Sequence, residues 1–340
     1  MKYRINRRAA LGLIGGSALM PALGGRVSAQ TLDKVSYQTN WRAQAEHGGF
    51  YYAVANGIYK KYGIDADIRM GGPQQNPSQL LLGGAVGRVD MIMGNSLEAL
   101  HFAKEGIPFL CIASIFQKDP QVLICHPGQG NDSLAALKGK PVLIGAAGRT
   151  SFYPFLKAKF GYSDEQVRPY TFNMAPFLAD KSMCQQGYLT SEPFAIEKEG
   201  GVKPVVHLLA DSGYDPYSTT ISISQKMVDE KKDVVQRFVT ATLEGWAAYM
   251  KNGEGNAAAN ALIKKDNPDM SDDKIAFAIK SMNEKGIVMS GDALKLGVGA
   301  MTDERWAHFY DDMTKAGVFP AGLDVKKAYS LAFINKGIGI

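Results

Sequence analysis

Cysteine, histidine and recognisable catalytic motifs are scarce in this sequence of 340 residues. The three cysteines and five histidines are scattered along the chain, without the spacing of a metal site. The sequence has no Gly-x-Ser-x-Gly nucleophile turn, no Gly-x-x-x-x-Gly-Lys-Ser/Thr phosphate loop and no His-Glu-x-x-His zinc motif. Because these common hydrolase, nucleotide-binding and metalloprotease motifs are absent, we expect no metal, no cofactor and no enzymatic activity.

Beyond residue 29 the sequence carries no excess charge of either sign. The whole chain has 38 basic and 33 acidic residues, and residues 1–29 hold five basic and no acidic ones. The remainder is therefore neutral, and it lacks the basic surface that nucleic-acid binding requires. It also lacks an apolar run long enough to cross a bilayer. We expect a soluble mature protein with no nucleic-acid partner.

Residues 1–29 have the features of an export signal peptide. A basic segment containing Arg7 and Arg8 precedes a moderately apolar stretch over 9–23, and short side chains at 27–29 favour cleavage after Ala29. The paired arginines resemble a twin-arginine signal, but their flanking residues depart from it, so the ordinary secretory route stays open. The alternative interpretation is a basic, disordered tail. Export predicts a periplasmic location.

Short strand-like and helix-like segments alternate along the mature chain. Apolar runs predict the strands, and the four-residue spacing of Phe50, Val54 and Ile58 predicts the first helix. The predicted strands are 35–39, 64–70, 89–93, 109–116, 122–125, 142–144, 167–171, 183–188 and 205–208. The predicted helices are 46–59, segments beginning near residues 77, 96, 151, 175 and 191, and a helical last third comprising 225–250, 254–265, 271–286 and 302–316. Such alternation predicts an α/β fold with mostly parallel sheets.

The α/β pattern occurs twice and so predicts two doubly wound lobes. We assign residues 30–125 and 218–340 to the first lobe, with its helical C-terminal part, and residues 126–217 to the second. A two-strand hinge joins them, and their facing strand ends form a cleft that closes around a ligand. Cys111 and Cys125 flank a turn at 117–120, where they form either a cross-strand disulfide or two buried thiols.

The loops that follow the predicted strands supply the candidate ligand-binding residues. Residues 148–151, which read GRTS, place backbone N–H groups, two hydroxyls and a guanidinium at a predicted helix start, suited to an anion. The alternative there is an ordinary N-cap with a solvated Arg149. The complete predicted set is Asn40, Trp41, His47, Asn95, Ser96, Gln117, Arg149, Thr150, Ser151, Tyr188 and Glu192.

Several of these side chains have both a binding and a structural interpretation. Trp41 and Tyr188 either sandwich a flat ring or belong to the core. Glu192 either accepts hydrogen bonds from an amino group of the ligand or only favours the N-terminus of its helix. His47 either contacts the ligand or is an ordinary residue at a helix start. Glu192 points to an amino-substituted heterocycle and Arg149 to an acid.

Several short segments have a shared, recognisable pattern: 40–53 (NWRAQAEHGGFYYA), 57–59 (GIY), 62–64 (YGI), 187–194 (GYLTSEPF), 290–293 (SGDA), 299–302 (GAMT) and 305–306 (RW). In these segments the sequence resembles the ABC substrate-binding proteins, in the branch that groups alkanesulfonate, nitrate and taurine binders with binders of thiamine-pyrimidine precursors. The resemblance implies a type II periplasmic-binding fold and a monomer that delivers a small organic ligand to an ABC permease. It also implies pocket residues at Asn40, Trp41, His47, Asn95, the start of the helix after residue 148, Tyr188 and Glu192.

Within this resemblance the ligand class stays open. A pyrimidine-type thiamine precursor is the first hypothesis, and a sulfonate or aromatic carboxylate held by Arg149 is the second. A role as a sensor subunit, presenting the ligand to a receptor, also stays open. A fungal relative is an enzyme that makes the thiamine pyrimidine from its own histidine and pyridoxal phosphate, with iron and a cysteine-rich motif. This sequence has no cysteine-rich cluster and carries an export signal, which argues against that enzyme.

Overall fold

A computed structural model describes residues 31–72, 75, 77–83 and 88–340. The predicted export signal lies outside the described residues. Residues 32–340 form one compact unit.

Ten strands in the described chain assemble into two five-stranded sheets. The strands are β1 (Asp33–Gln38), β2 (Ile64–Arg69), β3 (Met91–Asn95), β4 (Phe109–Phe116), β5 (Gln121–Cys125), β6 (Val142–Ile144), β7 (Val167–Pro169), β8 (Cys184–Tyr188), β9 (Val205–Leu208) and β10 (Ser218–Ser224). The first sheet has the order β2-β1-β3-β10-β4, and the second has the order β7-β6-β8-β5-β9. We call the part built on the first sheet lobe 1 and the part built on the second sheet lobe 2.

Each sheet is parallel except where the chain crosses between lobes. In lobe 1, β1 runs parallel to β2 and β3, whereas β10 is antiparallel to β3 and β4. In lobe 2, β6 runs parallel to β7 and β8, whereas β5 is antiparallel to β8 and β9. The antiparallel strands β5 and β10 are the first strands formed after each crossover. The parallel strands of each lobe therefore end at the edge where the two crossovers lie.

The first crossover falls earlier than the predicted lobe boundary at Cys125. Strand β5 pairs with β8 and β9, so the chain enters the second sheet between Phe116 and Gln121. The apolar run of β5 predicts a strand but not its partner, because pairing is decided by distant strands. The second crossover lies between β9 and β10, close to the predicted position.

Fourteen α-helices cover the sheets within the described residues. They are α1 (Gly48–Ala55), α2 (Ile58–Lys61), α3 (Pro77–Leu81), α4 (Ser96–Lys104), α5 (Ala146–Thr150), α6 (Tyr153–Phe160), α7 (Ala175–Ala179), α8 (Glu192–Gly200), α9 (Gln225–Glu230), α10 (Lys232–Met250), α11 (Asn256–Asp266), α12 (Asp272–Glu284), α13 (Ala293–Leu296) and α14 (Asp303–Lys315). The predicted helix 46–59 is divided, because Gly57 adopts a φ of +70° between α1 and α2. The predicted helix 225–250 is likewise divided, at Lys231. No helix in the described part of the chain is both long and apolar enough to cross a membrane.

Helices α1 and α10 approach each other closely and fix the position of residues 45–47, which precede α1. A Cβ atom on Gly245 of α10 would lie 2.5 Å from the Gly49 carbonyl oxygen, so only glycine fits there. Trp246 is fully buried, and its ring packs edge-on against Phe50 at 5.8 Å between centroids. The short 3-10 helix Ala45–His47 is thus held against the lobe 1 core.

The structure contains a disulfide that the sequence did not predict. Cys125 of β5 and Cys184 of β8 are directly paired in the antiparallel ladder and are bonded through their sulfur atoms. The predicted pairing of Cys111 with Cys125 is wrong because the two residues belong to different sheets. The alternative of two buried thiols holds only for Cys111, which is free and buried.

Candidate functional site

Two aromatic rings from opposite lobes meet where the parallel strands end. Trp41 follows β1 in lobe 1, and Phe172 follows β7 in lobe 2. Their ring centroids lie 4.8 Å apart with an angle of 55° between the planes. The predicted sandwich paired Trp41 with Tyr188, but in the described structure Trp41 contacts Phe172 instead. Asn40, next to Trp41, has an exposed side chain.

A buried carboxyl group of lobe 1 contacts lobe 2 directly. Glu46, in the 3-10 helix before α1, is 3% exposed and accepts a hydrogen bond from the Thr190 hydroxyl, which belongs to the loop after β8. Burial raises the pKa of Glu46 to about 7, and the negative charge of Glu192 adds to the increase. Glu46 therefore takes up or releases a proton near neutral pH.

The lobes also touch along their outer edge. Phe194 of α8 and Phe277 of α12 have ring centroids 5.1 Å apart, and Lys198 of α8 pairs with Asp273 of α12. With the contacts of Trp41 and Glu46, these pairs show that the two facing lobes are closed on each other. A cavity of about 160 Å³ remains beside the contact between Glu46 and Thr190.

Tyr188 lies among three carboxyl groups at the meeting of the lobes and the hinge. Burial raises its pKa, and the charges of Asp119, Glu46 and Glu192 raise it further. The Tyr188 backbone N–H donates to the Glu192 carboxylate at 2.7 Å, and burial raises the pKa of Glu192. Asp119, in the first crossover, is 8% exposed and has its pKa raised to about 6 by burial.

This concentration of carboxyl groups has a chemical consequence. Among the described residues, the ionisable side chains that act on Tyr188 are those of Asp119, Glu46, Tyr214 and Glu192, all of which are acids. An ionised carboxyl accepts hydrogen bonds from N–H groups and repels anions, and a protonated one can donate a hydrogen bond to a ring nitrogen. The arrangement suits a neutral ligand rich in N–H donors better than it suits a sulfonate or carboxylate.

His47 is buried beside Glu46 and has an unused ring nitrogen. It is 2% exposed, and its Nδ1 has no hydrogen-bond partner in the described structure. Burial lowers the pKa of His47 to about 3, so the imidazole is neutral at physiological pH. A neutral imidazole can donate or accept one hydrogen bond at this nitrogen, depending on its tautomer.

Asn95 and Ser96 hold the start of α4 at the end of β3. The Asn95 side-chain oxygen accepts a hydrogen bond from the Glu98 backbone N–H at 2.9 Å, so Asn95 is the N-cap of α4. The Ser96 hydroxyl accepts one from the Tyr217 backbone N–H at 3.1 Å. Both oxygens are thus used to fix α4 and the second crossover.

Gln117 stabilises the hinge. Its side-chain amide donates to the Ala300 carbonyl at 2.9 Å, and its side-chain oxygen accepts a bond from Arg305 at 3.3 Å. Arg305 of α14 also donates to the Gln117 backbone carbonyl at 2.5 Å and to Asp215 of the second crossover at 2.7 Å. The guanidinium of Arg305 lies over the Tyr217 ring, 4.2 Å from its centroid. Arg305, which lies in the 305–306 segment of the family resemblance, thus joins both crossovers.

The helix predicted to begin near residue 151 is α6, which begins at Tyr153, and a second short helix, α5, precedes it. Gly145 is the N-cap of α5, and its N–H donates to the side chain of Gln186 at 2.7 Å. Residues 148–151 therefore form the last turn of α5, and the hydroxyls of Thr150 and Ser151 donate to the Ala147 carbonyl.

Arg149 lines a cavity to which none of the three carboxyl groups around Tyr188 contributes. It is exposed and lines a cavity of about 350 Å³ with Tyr153, Lys157, Asp164 and Gly317. None of these residues belongs to the contacts between Trp41, Glu46 and lobe 2.

Four residues of this region were absent from the predicted set: Glu46, Asp119, Phe172 and Thr190. Glu46 and Thr190 lie inside the segments that carry the family resemblance, so that signal could have found them. Phe172 and Asp119 follow no local pattern, because only the folded chain brings them to the cleft. Among the described residues, no group of three or more His, Cys, Asp or Glu side chains is arranged to hold a metal ion.

Comparison with known proteins gives one family and several distant relatives. The family model described as NMT1/THI5 like matches residues 44–256. A riboflavin-binding protein of Chloroflexus aurantiacus is 22% identical over 315 residues, covering 90% of this chain and 88% of that protein. A formylaminopyrimidine-binding protein of Halalkalibacterium halodurans is 23% identical over 241 residues, covering 69% and 71%.

The comparisons also include an enzyme and a solved structure. A 4-amino-5-hydroxymethyl-2-methylpyrimidine phosphate synthase of Schizosaccharomyces pombe is 28% identical over 132 residues, covering 38% of this chain and 37% of that protein. The crystal structure of the periplasmic aliphatic sulphonate binding protein of Escherichia coli superposes with a TM-score of 0.63 at 12% identity, covering 88% and 92% of the two chains. This likeness confirms the predicted two-lobed periplasmic-binding fold.

Proposed function

The chain belongs to the NMT1/THI5-like family, and on that premise we propose that it is the solute-binding component of an ABC importer. It captures a flat, amino-substituted heterocycle, such as a pyrimidine-type thiamine precursor, between its two lobes. The single observation that carries this choice is the group of carboxyls Glu46, Asp119 and Glu192 around Tyr188. An amino group donates hydrogen bonds to an ionised carboxyl, and a protonated carboxyl donates one to a ring nitrogen.

The remaining parts of the proposal follow from this role. Residues 1–29 direct export, and the mature chain acts in the periplasm as a monomer. Lobe closure around the ligand produces the form that docks on a membrane permease. The names of two relatives, a riboflavin-binding protein and a formylaminopyrimidine-binding protein, support a flat heterocyclic ligand.

Anionic ligands and an enzymatic role both have less support than the binding of an amino-substituted heterocycle. A sulfonate or aromatic carboxylate fits the carboxyl-rich cleft poorly, and Arg149 lies elsewhere. An enzyme of the synthase type matches only 38% of the chain, and we propose a binding role instead.

Binding is tested on the chain purified without residues 1–29. We expect 4-amino-5-hydroxymethyl-2-methylpyrimidine to raise the thermal unfolding temperature, because ligand at 100 times its dissociation constant stabilises by about 2.7 kcal/mol. MOPS and benzoate should have no such effect. Glu192→Gln should weaken the response, and Arg149→Ala should keep it.

Two results would count against the proposal. Stabilisation by the acids alone would assign the cleft to anions. A loss of mass at His47 after incubation with iron and pyridoxal phosphate, seen by intact-protein mass spectrometry, would assign the chain to the synthase class.

A further inference from the structure

Phe172 combines two unfavourable features in one residue. Its φ is +61°, in the left-handed region that bulky side chains rarely adopt. Its side chain is also 47% exposed, although it is a large apolar group. Residues held in such strained conformations concentrate at ligand clamps and active sites, where the strain fixes a functional geometry.

The Phe172 ring occupies the end of the lobe 2 sheet that faces lobe 1. Its centroid lies 5.2 Å from that of Tyr170, and its outer edge lies against Gly145, the N-cap of α5. On its other side it meets Trp41 of lobe 1. Trp41 is itself only partly buried. The two rings are thus held by separate lobes and touch only because the lobes are closed.

We propose that Phe172 and Trp41 form an aromatic clamp that takes the flat ring of the ligand between them, and that Phe172 determines the preference for planar ligands. This inference rests on the proposed function. A ring in van der Waals contact with both partners requires a separation of about 7 Å, against the 4.8 Å between centroids observed here. To admit it, the lobes must separate by about 2 Å at this point, and the two rings, now inclined by 55°, must turn toward parallel.

The left-handed backbone at residue 172 and the contact with Tyr170 restrict the lobe 2 side of the clamp. They fix the direction of the Phe172 ring before the ligand arrives, so less side-chain freedom is lost on binding. The clamp also replaces the predicted sandwich of Trp41 with Tyr188. Tyr188 instead lies beside the three carboxyl groups, which we expect to contact the polar edge of the ligand.

The experiment separates ligand affinity from stability. Asparagine tolerates a positive φ, so Phe172→Asn relieves the strain and removes an exposed apolar ring. We expect the unfolding temperature of this variant to be unchanged or higher. Its affinity for 4-amino-5-hydroxymethyl-2-methylpyrimidine, measured by calorimetry, should fall about tenfold, the loss expected for one aromatic contact. Phe172→Tyr should retain the affinity, and Leu294→Asn, at a residue 61% exposed on α13, serves as the control.

The possible outcomes distinguish failure of the aromatic clamp from failure of the proposed binding function. If the unsubstituted chain binds the pyrimidine and Phe172→Asn binds it equally well, the clamp is wrong and the proposed function stands. If affinity and stability fall together in Phe172→Asn, the residue is structural and the clamp is again wrong. If the unsubstituted chain binds neither the pyrimidine nor riboflavin, the proposed function itself fails.

Discussion

Replacing both Cys125 and Cys184 with alanine is expected to lower the free energy of unfolding by about 4 kcal/mol, because the disulfide closes a loop across a sequence separation of 59 residues. In the unfolded chain this bond restricts the conformations of most of lobe 2. In the folded chain it joins two fully buried positions on neighbouring central strands. Chemical denaturation followed by circular dichroism measures the difference.

A reducing agent supplies the control for this prediction. It should destabilise the native chain and the Cys111→Ala variant, and it should leave the double alanine variant unaffected. Because the bond forms in oxidising compartments, its presence in protein purified from the periplasm also supports export. Equal stability of the native chain and the double variant would show that the bond is absent or does not contribute.

Glu46→Gln is expected to change how stability depends on pH. The pKa of Glu46 rises from 4.5 to about 7 on folding because the group is buried. The folded chain therefore binds the proton more tightly than the unfolded chain, and the native protein loses stability as pH rises between these values. The contribution is fully present below pH 4.5 and is lost above about pH 7.

Glutamine does not titrate, so the free energy of unfolding of the variant lacks this decrease with rising pH. The stability of Glu46→Gln relative to the native chain should increase by about 1.4 kcal/mol for each pH unit across that range, or about 3 kcal/mol in total. Urea denaturation at several pH values measures it, with the exposed Glu254→Gln as control. A difference between Glu46→Gln and the native chain that is constant with pH would mean that Glu46 is not buried as described.

Local sequence patterns predicted most of the secondary structure. The strands β4, β6 and β9 begin and end where their apolar runs do, and the cap of α4 by Asn95 follows from side-chain chemistry within one turn. Both features depend on residues close together in the chain. The division of helix 46–59 at Gly57 was also predictable, because glycine readily adopts the positive φ that ends a helix.

Features that depend on distant residues were not predictable in this way. The apolar strand β5 could join either sheet, and its true partner β8 lies about sixty residues further on. The pairing of Cys125 with Cys184 was not predictable for the same reason, because they lie 59 residues apart in the sequence. At residues 145–151 the sequence GAAGRTS permits a helix to begin at several positions, and the bond from Gly145 to Gln186 decides among them.

The candidate site was predicted in part for the same reason. Tyr188 and Glu192 lie together because they are near each other in the chain, and the Tyr188 backbone N–H donates to the Glu192 carboxylate. Glu46, Asp119 and Phe172 come from three separate segments that only the closed lobes bring near them. Arg149 was selected from a local motif that the structure places in the last turn of α5, before the predicted helix begins as α6.

Tryptophan fluorescence tests most directly whether the ligand binds between the lobes. Of the three tryptophans, Trp246 and Trp306 are fully buried, and only Trp41 lies at the cleft. Titration with 4-amino-5-hydroxymethyl-2-methylpyrimidine should change the emission of the native chain in a saturable way. Trp41→Phe should still bind the pyrimidine in calorimetry but show no emission change. An undiminished emission change in Trp41→Phe, or no saturable change in the native chain, would contradict ligand binding between the lobes beside Trp41.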